Sequence, residues 1–141
     1  LQPPAGHAFA RVVKAAGVQL YECRAGAGGP QWVFVAPDAQ LFDEGGRRAG
    51  RHYAGPHWEA PDGSKVAGAV AARADAPAPG AIPWLLLKSQ PAPGPTGAFT
   101  RVASIQRVNT TGGGAPSRAC KAGESARVPY TADYRFFTAG R

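Results

Sequence analysis

Methionine is absent from this sequence, cysteine occurs twice, histidine three times, and nine acidic residues stand against sixteen lysines and arginines. Each shortage removes a class of function. So few acids offer no spacing that singles out a carboxylate pair for glycoside hydrolysis. There is no G-x-S-x-G elbow for a serine nucleophile and no G-x-G-x-x-G opening a dinucleotide fold. No C-x-x-C is present for redox or zinc chemistry, and no C-x-x-C-H to attach a haem. The longest apolar run, from Ile82 to Leu87, is broken by Pro83 and is far too short for a helix to cross a bilayer. The opening residues, Leu1-Gln2-Pro3-Pro4, carry no initiator methionine and no basic start with an apolar stretch behind it. A targeting segment is therefore expected to have been removed, leaving a secreted or periplasmic protein.

What the chain does have is punctuation. Nineteen glycines and fourteen prolines interrupt it too often for long helices. Hydrophobic residues make up 44% and charged residues 18%, a globular balance in a chain of 141 residues, which fits one domain spanning 1–141. The net charge of +7 attracts polyanions in general, but the arginines are scattered, apart from Arg47, Arg48 and Arg51. Nucleic acid is not an expected partner in an exported location. Cys23 and Cys120 lie near opposite ends of the chain, an isolated pair that reads as a disulfide and hence as an oxidising compartment.

Between the turns lie segments with the two-residue period of strands. Val18–Arg24 alternates Gln19, Tyr21 and Cys23 against Val18, Leu20 and Glu22, and Gln31–Ala36 is β-rich and aromatic. Val66–Ala71 is weaker, Trp84–Lys88 is continuously apolar and Phe99–Val108 alternates over a long span. The clearest strand places Val128, Tyr130, Ala132, Tyr134 and Phe136 on one face. Pro129 lacks an N–H, so that strand is expected to begin at an edge. Phe9, Val12, Val13 and Ala16 have helical spacing with Gly17 behind them, and a short helix or a strand fits there equally. The Pro-rich stretches 74–83 and 90–97 are read as ordered loops. The expected fold is all-β: an antiparallel sandwich or small barrel with one disulfide and at most one or two short helices.

Chemistry concentrates in His52-Tyr53-Ala54-Gly55-Pro56-His57-Trp58-Glu59 and the Asp62-Gly63-Ser64 that follows. Imidazoles five apart across a Gly-Pro turn suit copper or zinc, with Glu59 or Asp62 as an oxygen ligand, and this makes His52 and His57 the candidate metal ligands. The alternative is a tight turn with Trp58 packed and the histidines near the surface. Aromatic faces at Trp32, Tyr53, Trp58, Trp84, Tyr130 and Tyr134 also suit sugar rings or small apolar molecules, with Arg51, Arg101 or Arg107 to hold an anionic group. Tyr53, Trp58, Arg51 and Asp62 are the candidate ligand-binding residues. No residue stands out as catalytic. Asn109-Thr110-Thr111 matches a glycosylation acceptor, and Gly112-Gly113-Gly114 a loop rather than a phosphate cradle.

A set of motifs runs in order along the chain: 17–23 (GVQLYEC), Trp32 with 37–41 (PDAQL), 50–58 (GRHYAGPHW), 62–66 (DGSKV), 82–87 (IPWLLL), 105–110 (IQRVNT), Ala115-Pro116, Cys120 and 129–134 (PYTADY). Together they resemble a family of secreted bacterial and fungal proteins known as domain of unknown function 3455, over nearly the whole chain. The resemblance implies no established activity. Fungal members often carry a malate dehydrogenase label, which the missing dinucleotide motif argues against here. The family pattern usually has a small residue where this chain has His57, so a role resting on His57 would not be family-wide. The leading expectation is a secreted binding module for a carbohydrate or a small anionic or aromatic molecule. The rival is a copper- or zinc-dependent extracellular enzyme using the same loop.

Overall fold

A computed structural model describes residues 1–139. The chain forms eight strands: β1 (His7–Arg24), β2 (Gln31–Phe42), β3 (Arg48–Tyr53), β4 (His57–Glu59), β5 (Lys65–Ala74), β6 (Trp84–Gln90), β7 (Val102–Gly112) and β8 (Ser125–Ala139). Each pairs antiparallel with the next in sequence, and β8 returns to β1, so the sheet closes into an up-and-down barrel. The described residues contain no helix. Of the two expected architectures, closure selects the barrel.

Closure depends on β1. It pairs with β8 from His7↔Ala139 to Glu22↔Ser125 and with β2 from Lys14↔Phe42 to Arg24↔Gln31. That pairing also settles the ambiguous segment near the N-terminus. Val13 and Ala15 are buried while Ala16 and half of Phe9 face solvent, a period of two rather than 3.6. Gly17 sits at a close approach of β1 to β2: a Cβ there would run into the Asp38 carbonyl and lie 2.5 Å from the Ala39 Cα. No other residue fits that approach.

Apolar side chains fill the barrel. Val13, Leu41, Ile105 and Phe136 are fully buried, and Phe99, in the β6–β7 loop, plugs the end where that loop lies. Its ring meets Phe136 edge-on, with centroids 4.9 Å apart. Lys14, Glu22 and Arg127 alternate outward. Tyr130, Ala132, Tyr134 and Phe136 occupy the inward face of β8, as their alternation predicts. Pro129 pairs with Val18 on the β1 side, whereas the ladder to β7 stops one residue later at Gly112↔Tyr130. The proline therefore sits at the last point where β8 lacks a β7 neighbour, and its missing N–H breaks no β7 bond.

The Pro-rich 75–83 loop is tied to β7 by hydrogen bonds. Ile82 N donates to Gly112 O at 2.9 Å, Thr110 Oγ1 donates to Ile82 O at 2.7 Å, and the Arg107 guanidinium holds the Pro83 carbonyl. At the same end, Cys23 and Cys120 form the disulfide, across 97 residues, tying the end of β1 to the β7–β8 loop. Cross-linking two points so distant removes much of the freedom of the unfolded chain. Replacing both cysteines with serine is expected to lower the unfolding free energy in urea by about 3–5 kcal/mol. A loss under about 1 kcal/mol would show that the barrel does not depend on this link.

Candidate functional site

The barrel wall is uneven. β4 has three residues, whereas its neighbours across the β3–β4 hairpin, β2 and β5, have twelve and ten. β2 pairs with β3 only over Ala39–Phe42, and β5 pairs with β4 only over Lys65–Ala67. Beyond the hairpin tip, residues 31–38 of β2 and 68–74 of β5 have no ladder partner on the sides that face each other. A last bond, Gly68 N to Pro56 O at 3.2 Å, marks where the wall stops. Pro37 falls in the unpaired part of β2, where a residue without an N–H is tolerated.

This gap is a window into the barrel, and behind it lies a pocket of about 330 Å³. That is the lower end of the size range of small-molecule sites, roughly 300–1,000 Å³. Its rim is apolar: Phe34, Val35 and Val70 are 48%, 42% and 51% exposed, three of the four large hydrophobic residues that the described chain leaves in solvent. Gly55 and Pro56 form the sill. The floor is polar and aromatic, with Gln19, His52, Trp58, Arg107 and Tyr134 above Leu85 and Leu87.

The hairpin turn positions two of these. Residues 54–56 pair Tyr53 with His57 and His52 with Trp58, so the latter two point inward together. The His52 ring stacks on Trp58 with centroids 4.4 Å apart, and Trp58 meets Tyr134 edge-on at 5.4 Å. Gly68 makes room for the indole, since a Cβ there would stand 3.1 Å from it. His52 Nδ1 lies 2.8 Å from the His57 carbonyl, which only accepts, so Nδ1 carries the proton. Nε2 then accepts from Tyr134 Oη at 3.2 Å, and Tyr130 Oη in turn donates to Tyr134 Oη at 3.2 Å.

Burial is the main cause that drives the His52 pKa down to about 3; the His57 carbonyl opposes it and the Arg107 charge adds to it. Burial likewise raises Tyr130 and Tyr134. At neutral pH these three rings are therefore uncharged, and the charge on the floor is that of Arg107. Its Nε and Nη2 donate to Pro83 O at 3.0 and 2.8 Å. Among the described residues no carboxylate forms an ion pair with it. Two further floor groups are buried without a hydrogen-bond partner among the described residues: Gln19 Oε1 and Trp58 Nε1.

Of the four candidate ligand-binding residues, the structure brings only Trp58 to this pocket, joined by Tyr134 and Arg107 from the wider set of aromatics and arginines. Tyr53 lies on the outer face, its hydroxyl donating to Glu59 Oε1 at 2.6 Å, with the Arg51 guanidinium 4.6 Å from its ring. Asp62 is at the opposite end of the barrel. It accepts from Ser64 N and Oγ at 2.9 and 2.6 Å and from Ala98 N at 2.9 Å, tying the β4–β5 turn to the β6–β7 loop. The turn does not bring the two candidate metal-ligating imidazoles together. An odd separation across this hairpin places His52 inside and His57 outside, where His57 stacks on Tyr53 and its Nδ1 donates to Ala54 O at 2.7 Å. His7 is distant again, bonded to Ser104 Oγ at 2.9 Å. Among the described residues no three His, Cys, Asp or Glu side chains converge.

The family model described as Protein of unknown function (DUF3455) matches residues 4–138. The chain belongs to this family. No curated protein and no solved structure matches it. In this DUF3455 chain three of the stretches that carry the resemblance contribute to the pocket: 50–58 spans part of β3, the turn and part of β4, 105–110 lies in β7 with Arg107, and 129–134 lies in β8 with Tyr134. Gln19, Phe34, Val35 and Val70 were not among the expected site residues. Gln19 had a visible signal, since it shares the inward face of β1 with Tyr21 and Cys23.

The buried, neutral His52 makes stability depend on pH. In the unfolded chain it takes up a proton near its ordinary 6.5, but in the barrel only near 3, so its contribution is intact above pH 6.5 and is lost as pH falls between those values. Going from about pH 7 to about pH 5, the wild type is expected to lose ~2 kcal/mol more than His52→Gln in urea unfolding. Equal losses in the two proteins would contradict a buried neutral imidazole.

Proposed function

We propose that this chain is an exported binding module that takes a small, largely apolar molecule into the barrel through the window above the β3–β4 hairpin. The observation that carries the reading is the sequence of surfaces met from outside to inside. Exposed Phe34, Val35 and Val70 lead to a pocket whose floor holds the unpartnered Gln19 Oε1 and Trp58 Nε1. Buried polar groups are ordinarily hydrogen-bonded, and leaving one unpaired costs about 1–3 kcal/mol. An apolar entrance ending in a few convergent polar groups is the usual anatomy of a small-molecule site. An eight-stranded barrel has an interior wide enough for one such ligand. The disulfide, stable in oxidising compartments, supports export.

The mouth is the place to test this, because its residues are exposed and their replacement leaves the core intact. Phenylnaphthylamine, a neutral apolar dye that brightens out of water, is expected to bind at one site per chain. Val70→Lys, which sets a charge in the entrance, should weaken it about tenfold with little change in Tm. An unbound dye, or equal binding by the variant, would remove the window as the site.

A further inference from the structure

Resting on that reading of the window, we infer that the natural ligand is an amphipathic organic anion, its carboxylate held by Arg107 at the floor and its apolar body lying between Phe34 and Val70. Arg107 belongs to β7 at a position opposite Leu85 of β6, with its side chain inside the barrel. Arg107 is half-buried, and a guanidinium that lines an apolar-mouthed pocket is placed to receive a carboxylate from outside. Here its hydrogen bonds go to one neutral carbonyl, that of Pro83. A neutral carbonyl does not compensate the charge. Three acids are engaged elsewhere: Glu59 with Tyr53 and Arg51 on the outside, Asp133 with Lys14 and Asn109, Asp62 with Ser64 and Ala98 at the far end.

The surroundings of Arg107 are polarised in the same sense. Burial is the main cause of the shifts around it, raising Tyr21, Tyr130 and Tyr134 and lowering His52, and the Arg107 charge acts on all four, opposing the rise of the tyrosines and adding to the fall of His52. An incoming carboxylate meets that field with no competing acid, while planar guanidinium geometry favours a two-pronged bond to it. Trp58 Nε1 supplies a further donor on the same floor. The rim offers only hydrocarbon, which suits the remainder of the molecule. The chain's net charge of +7 favours the approach of such anions.

Two ligands that differ only in charge separate this inference from the one beneath it. Calorimetric titration of the whole protein with naphthoate and with naphthylmethanol is expected to show the carboxylate binding at least about tenfold more tightly. In Arg107→Gln that preference should vanish, through weaker naphthoate binding with the alcohol unaffected. Arg101→Gln, which removes the same charge from the exposed loop at the far end, should keep it. If the wild type binds both equally, or Arg107→Gln retains the preference, the anion assignment is overturned although the pocket stands. If neither compound binds, the pocket itself is lost and this inference with it. Should Arg107→Gln fail to fold, Arg107→Lys decides: it keeps the charge and loses the fork, so a preference reduced but present supports the assignment, and none overturns it.

Discussion

The shortness of the β3–β4 hairpin is the constraint on which the rest depends. A closed barrel requires every strand to have a neighbour on each side, and β4 supplies only three residues where β2 and β5 run on for many more. Where the hairpin turns, the wall ends, and the long strands on either side hold the gap open because each is anchored by its other neighbour, β1 or β6. The exposed Phe34, Val35 and Val70 follow from this. They stand where a longer hairpin would have covered them, and they become a rim instead of a liability.

The interior is consequently divided. Toward the β6–β7 loop it is a packed apolar core plugged by Phe99, and toward the window it is a layer of Trp58, His52, Tyr134 and Tyr130 linked by stacking and hydrogen bonds. That layer is neutral, so it can be buried, but it is tuned to stay so only while His52 remains unprotonated. Arg107 breaks the neutrality. A half-buried cation with no ion pair among the described residues, beside neutral rings, is placed to hold a charge that comes from outside.

Much of the fold was legible from period and punctuation. The alternation in β8 and in the second half of β1, the aromatic run of β2 and the isolated cysteine pair each correspond to what the structure contains. Barrel as against sandwich was not legible, because it turns on the β1–β8 register, a contact between the two ends of the chain that no local pattern encodes. The site was half legible. The 52–58 segment does form its sill and floor, but composition does not say which side chains face in. Tyr53 and Arg51 were expected at the ligand on loop chemistry, and the turn length of 54–56 sends Tyr53 out with His57 while His52 and Trp58 turn in. Arg107 was among the arginines expected to hold an anionic group, and parity carried the overlooked signal at Gln19, a polar residue on a strand face that otherwise points to the core. Phe34, Val35 and Val70 looked like ordinary strand residues, since their exposure arises from what is missing beside them.

Amide hydrogen exchange reads the open wall directly. Amides that face a partnered neighbour exchange slowly, and those on a free strand edge exchange near the rate of unstructured chain. The account predicts fast exchange at alternate residues of 31–38 and 68–74, slow exchange in 39–42 and throughout the middle of β1, and slowing of the fast set when naphthoate is bound. Uniform protection along the whole of β2 and β5 in the free protein would mean that the barrel is closed at this point and that there is no window.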